Sequence, residues 1–192
     1  MKEIIGGVAV VLTFLSYIPY FKDILKGKTH PHIYSWILWG LLTIIIFALQ
    51  ISDNAGPGAF VTLFAGLMCL TVVILSLKYG KRDIVFSDKV VFVLTLVAIG
   101  LWLIAKQPVL SIILVTIADI LAFIPTVRKS WNKPHTETLS LYVTNTLRFI
   151  LILFALNTYT LLTALWVVVW IVANALFSTM LIVRRKQIFI LS

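Results

Sequence analysis

Charge is scarce in this chain. Of its 192 residues only 12% are charged, and the acids are the rarer sign, seven against sixteen Lys and Arg. Soluble domains carry roughly 25% charged residues. With 61% of residues hydrophobic, that scarcity excludes a water-soluble fold. The single cysteine, Cys69, excludes disulfides and a cysteine metal site. Only three histidines occur, His30, His32 and His135. The run Lys28-Thr29-His30-Pro31-His32 offers too few ligands for a metal centre and reads as a solvated loop. There is no glycine-rich phosphate loop and no Gly-x-Ser-x-Gly motif, so nothing points to an enzyme or to a cofactor. The first apolar run starts with Lys2 beside Glu3 and ends in Tyr17-Ile18-Pro19-Tyr20-Phe21 without a small-residue cleavage site. It is expected to be retained.

What fills the chain instead is apolar sequence. The segments 4–21, 33–51, 59–77, 90–105, 109–127, 138–156 and 159–183 are each nearly free of charge. A helix rises about 1.5 Å per residue, so some 20 residues cross a hydrocarbon core of about 30 Å. Lys89 and Lys106 can snorkel from the ends of the shortest segment. Seven crossings are expected. They would put thirteen basic residues on one side: Lys22, Lys26, Lys28, Lys78, Lys81, Arg82, Lys89, Arg128, Lys129, Lys133, Arg184, Arg185 and Lys186. Lys2 and Lys106 fall on the other. The positive-inside rule then places the N-terminus outside and the C-terminus in the cytoplasm. The net charge of +9 is accounted for by topology, and no nucleic-acid partner is needed.

The sequence also repeats. Tyr17-Ile18-Pro19 returns as Phe123-Ile124-Pro125, each followed three positions on by a basic residue, Lys22 or Arg128. Phe47-Ala48-Leu49-Gln50 returns as Phe154-Ala155-Leu156-Asn157. The offset is 106 at the first landmark and 107 at the second. One apolar segment lies between the copies, so the second enters the membrane in the same direction as the first. The expected fold is all-α and integral to the membrane: two parallel three-helix bundles, residues 1–79 and 108–192, joined by a linker with transmembrane helix 4 at 80–107. This layout, with an aromatic-x-Pro near the end of the first helix of each bundle, resembles the SWEET/SemiSWEET and PQ-loop transporter superfamily, in particular its prokaryotic members. Pro19-Tyr20 and Pro125-Thr126 stand where PQ-loop proteins have Pro-Gln. The resemblance implies a transporter in a prokaryotic inner or plasma membrane, working by alternating access between the bundles.

Two charges fall in membrane interiors, Asp119 on the fifth segment and Arg148 on the sixth. Each lies about 12–15 Å from the outer end of its helix by helical rise. A charge at the bilayer centre costs on the order of 2.5–3.5 kcal/mol, so such residues face inward and pair. The pair is therefore expected, either as a staple between helices or within a solute site. Their first-copy counterparts are Thr13 and Leu41, so the fold can close without charge there. Ser140, Thr144 and Arg148 recur every four residues with Asn145 beside them; Trp166, Trp170, Asn174 and Ser178 do the same on the seventh segment. Tyr17 on the first segment and Trp39 on the second extend the candidate substrate-binding set. Pro19 and Pro125 each remove a helical hydrogen bond, which makes either a fixed kink or a hinge at the cytoplasmic gate. In the SWEET resemblance Asn174 corresponds to a solute-binding Asn. The third segment offers only Met68, Cys69 and Leu70 at that depth, which argues against sugar. The expected function is a transporter or facilitator of a small polar solute, with zwitterions among the candidates and protons as a candidate partner. A receptor or sorting protein on the same scaffold, binding a small ligand or peptide terminus as the KDEL receptor does, is the alternative.

Overall fold

The computed structural model describes residues 1–79, 84–105 and 107–191. Lys81, Arg82 and Lys106, which entered the topology argument, lie outside the described residues. Within them the chain is all-helical: α1 (Lys2–Leu25), α2 (Ile33–Ser52), α3 (Pro57–Tyr79), α4 (Phe86–Ala105), α5 (Pro108–Asn132), α6 (Leu139–Ala155) and α7 (Leu161–Leu191), with one 3₁₀ turn at Pro134–Thr136. Five of these, α1, α2, α3, α5 and α7, are long and apolar enough to cross a membrane; α6 is apolar but has 17 residues.

Local chemistry sets the helix ends. Pro108 stands in the first turn of α5, where its missing N–H costs nothing. Gly27, at φ +66°, follows the end of α1 and donates its N–H to the Ile24 carbonyl, the left-handed exit that glycine takes without a Cβ penalty. Pro19 and Pro125 lie inside α1 and α5, and both helices continue through them.

The packing is not in chain order. α3 lies against both α1 and α2, whose backbones stay apart and which meet through side chains, Tyr17 and Tyr20 of α1 against Trp36 of α2. In the same way α7 lies against both α5 and α6, whose backbones stay apart while Phe123 of α5 stacks on Tyr142 of α6. The two groups meet where α1 packs on α6 and α2 on α5, and α4 rests on α5. This corrects the expectation that α5 and α6, being consecutive, would be neighbours. Polarity is turned inside out. Ile4, Val11, Ile74, Val97, Ile117, Phe154 and Leu176 are exposed, while Thr13, Gln50, Thr62, Asp119, Arg148 and Asn174 are buried. An outward apolar surface around polar interiors suits lipid, where no hydrophobic effect draws helices together and small residues must let backbones approach. Gly58 provides one such approach: a Cβ there would stand 2.9 Å from Leu156 Cδ2 and 3.2 Å from the Ile152 carbonyl oxygen.

Candidate solute site

The groups α1–α3 and α5–α7 enclose a narrow cavity. Its unfilled space is about 440 Å³ counting the region that opens between the helices, but the centre of a water molecule reaches only about 40 Å³ of it. That is room for about three or four waters by the usual measure of about 10–15 Å³ each. Six helices supply the walls: Tyr17 from α1; Trp36, Trp39 and Thr43 from α2; Ala65 and Cys69 from α3; Asp119 from α5; Tyr142, Asn145, Arg148 and Phe149 from α6; Trp166, Trp170 and Asn174 from α7. The repeat reappears in this lining. Trp36, Trp39 and Thr43 stand 106 positions before Tyr142, Asn145 and Phe149, and Ala65 and Cys69 stand 105 before Trp170 and Asn174.

Asp119 and Arg148 both line the cavity, but they form no ion pair. Asp119 Oδ2 accepts hydrogen bonds from the indole N–H of Trp166 (2.6 Å) and of Trp170 (2.5 Å). The Trp39 indole N–H donates to the Asp119 backbone carbonyl (3.3 Å). The physical reason is the packing order: α7 rather than α6 lies beside α5, so the carboxylate meets the α7 tryptophans first. Arg148 lies with its guanidinium 4.4 Å from the Phe149 ring centroid, a cation–π contact. Both residues remain unsatisfied. Asp119 Oδ1 has no partner, nor do Arg148 Nε and Nη1, Asn145 Oδ1, Asn174 Oδ1 and Trp36 Nε1. Buried polar atoms without partners cost about 1–3 kcal/mol each, so six around one cavity is a concentration that packing alone does not explain.

Asn145, Asn174, Trp170, Trp39 and Tyr17 also line the cavity. Asn174 anchors its amide nitrogen on the Trp170 carbonyl (2.8 Å), and the Tyr17 hydroxyl lies 3.8 Å from Cys69 Sγ. Thr144 is not brought in. Its hydroxyl bonds to the Ser140 and Leu141 carbonyls of its own helix, and the cavity face of α6 runs through Tyr142, Asn145 and Arg148 instead. Sequence reasoning misses Tyr142 and Phe149, although the repeat pairs them with Trp36 and Thr43.

At both ends of the helices, hydrogen bonds tie the two groups together. At one end Glu137, buried, pairs with Lys129 and accepts from the hydroxyls of Tyr142 (3.1 Å) and Tyr20 (3.4 Å). Lys129 also donates to the His30 carbonyl. The His30 N–H reaches the Thr136 carbonyl (3.0 Å), and Thr138 donates to the Asp23 carboxylate (2.8 Å). At the other end the Asn157 N–H donates to the Ala55 carbonyl (3.0 Å), and Thr158 to the Asp53 carbonyl (2.9 Å). Pro19 lies between Tyr17 of the cavity and Tyr20 of the tie; Pro125 lies between Asp119 and Lys129. Both prolines thus separate site from closure.

The loop read as solvated is not. His32 is 3% exposed, and its Nε2 lies 3.1 Å from Asp88 of α4, which also receives Arg128 Nε and Nη2 at 3.0 and 2.9 Å. Burial holds the His32 imidazole below its ordinary value, against the pull of Asp88. Burial alone would raise the Asp88 carboxyl, but Arg128, the Val85 N–H and His32 outweigh it and hold the group low. Among the described residues no three His, Cys, Asp or Glu side chains converge as a metal site. Comparison with protein-family models, with curated proteins and with solved structures returns no match.

Proposed function

We propose that this chain is a membrane carrier or facilitator of a small polar solute, working by alternating access between two parallel three-helix bundles, α1–α3 and α5–α7, joined by α4. The observation that carries the reading is the narrow cavity between the two groups, walled by matched positions of the repeat and ringed by unpartnered donors and acceptors. Unsatisfied groups around a void are what a solute would satisfy. The ties at both ends favour the same view, because they join the two groups by a few bonds that movement could break and remake. Movement would release the ties at one end while those at the other hold, bending at Pro19 and Pro125. The resemblance to the SWEET and PQ-loop superfamily fits this architecture. The positive-inside argument orients the Lys129–Glu137 end to the cytoplasm of a prokaryotic cell. Protons are candidates for coupling through Asp119.

The test is uptake by purified protein in liposomes, screened across amino acids, sugars, vitamins and nucleosides. One class should enter faster than in protein-free liposomes, and Arg148→Met should abolish its entry. Specific binding without any flux across the bilayer would overturn the carrier reading in favour of a receptor. If Asp119 carries the coupled proton, uptake depends steeply on pH in the wild type and loses that dependence in Asp119→Asn.

A further inference from the structure

We infer that the cavity is built to hold a small zwitterion, with its anionic end on Arg148 and its cationic end on Asp119 and the facing amide oxygens. The inference rests on the solute-site reading above and names the class of solute. The unpartnered atoms are sorted by sign. Arg148, 3% exposed, keeps Nε and Nη1 free, two donors that point to different edges of the guanidinium. A free guanidinium N–H gives a carboxylate oxygen a charge-assisted hydrogen bond. Asp119, 1% exposed, keeps Oδ1 free, because both α7 indoles converge on Oδ2. Asn145 and Asn174 add two free carbonyl oxygens, Oδ1 in each. Three unpaired acceptors, one of them charged, suit an ammonium with three N–H donors. The rings of Trp39 and Trp170, 5.6 Å apart and 80° to each other, give that end aromatic walls that also favour a cation.

Charge balance points the same way. With Asp119 ionised, the cavity is net neutral but polarised: Asp119 bonds to the two indoles and not to Arg148, so the two charges do not neutralise each other directly. A neutral polar solute would leave both charges buried and unpaired. A solute with one charge would pair with one of them and strand the other. Only a species carrying both satisfies the cavity, and such buried charges are costly to leave alone. The 40 Å³ reached by water centres keeps the solute small. The two tryptophans act as positioning residues. By occupying Oδ2 they turn Oδ1 towards the solute.

The experiment is binding to the purified protein in nanodiscs, by calorimetry, of L-alanine and its two half-charged isosteres, isobutyrate and isopropylamine, with glucose as the neutral probe. Loss of one partner of a buried charge pair costs about 2–5 kcal/mol, so each isostere should bind at least about 30-fold more weakly than L-alanine. Arg148→Met should remove discrimination against isopropylamine, and Asp119→Asn discrimination against isobutyrate. Trp166→Phe should weaken L-alanine and isopropylamine and leave isobutyrate unchanged, which a general packing defect would not do. Equal binding of all three charged probes would overturn the inference. So would tight glucose binding with none of L-alanine, an outcome that leaves the carrier reading standing. If none of the four binds while liposome uptake finds another solute without both charges, the zwitterion is wrong and the carrier is right. If no solute of any class enters liposomes, the carrier reading itself falls.

Discussion

Glu137 is the residue whose loss the structure prices most directly. Its carboxylate is buried and pairs with Lys129, whose side chain is 2% exposed. The same carboxylate takes two tyrosine hydroxyls, one from each helix group, Tyr20 on α1 and Tyr142 on α6. Glu137→Gln keeps the shape and an oxygen for those hydroxyls but removes the charge. Lys129 then retains only the His30 carbonyl as a partner for a buried ammonium. Breaking one side of a buried pair costs about 3–5 kcal/mol, whereas removing both sides can be near neutral. A chain of this size moves its melting midpoint by about 2–4 °C per kcal/mol. Glu137→Gln should therefore lower the midpoint by about 6–20 °C, read by tryptophan fluorescence on heating in detergent. Lys129→Met with Glu137→Gln should recover most of that fall. If the two single shifts simply add in the double variant, the buried pair is not an energetic unit, and the closure described at that end is wrong.

Topology can be read from cysteine labelling, because the only native thiol, Cys69, is buried. A cysteine at the exposed positions Asn54 or Asn157 should react with an impermeant reagent in intact cells, and one at Lys28 or Lys133 should not; the reverse pattern inverts the orientation. His32 gives a pH prediction. Its pKa is held below the ordinary 6.5, so the folded state favours the neutral ring. That stability is present above about pH 6.5 and is lost as pH falls through the lower folded value. Asp88, Arg128 and Lys129 are the charged groups around it. Its Asp88 partner is held low, so that contribution persists until pH falls below the ordinary carboxylate range. The melting midpoint should drop on acidifying from about pH 7 to about pH 5, and His32→Gln should flatten the drop; an unchanged slope refutes the assignment. Finally, Gly58→Ala should destabilise by about 1–3 kcal/mol from overpacking, while Gly7→Ala, where a Cβ meets nothing within 4 Å, should not. Equal midpoints for the two variants would mean the α3–α6 approach is looser than described.

Much of the frame follows from periodicity and composition, which act locally. Unbroken apolar runs of about 20 residues make helices because a helix satisfies every backbone group within its own segment in lipid. The offset between Pro19 and Pro125 is visible in the letters alone, as is the placement of Asp119 and Arg148 inside apolar runs. Their depth in the chain, and the four-residue spacing of Trp166, Trp170 and Asn174, put most of the cavity lining within reach of the sequence.

Partnership is decided only in three dimensions. Chain order suggests that α5 and α6 adjoin and that Asp119 meets Arg148. The fold sets α7 between them, so Asp119 meets two indoles and Arg148 keeps two free N–H groups. Thr144 shares a four-residue spacing with Arg148, yet the face that α6 turns inward is set by packing on α1 and α7, and its hydroxyl stays on its own helix. His32 and Lys129 read as loop or interface charge, yet they and Glu137 are buried because segments distant in sequence cover them. Periodicity fixes which residues share a side of one helix. Which side meets which neighbour depends on long-range contacts, and from those come the unpaired charges that define the site.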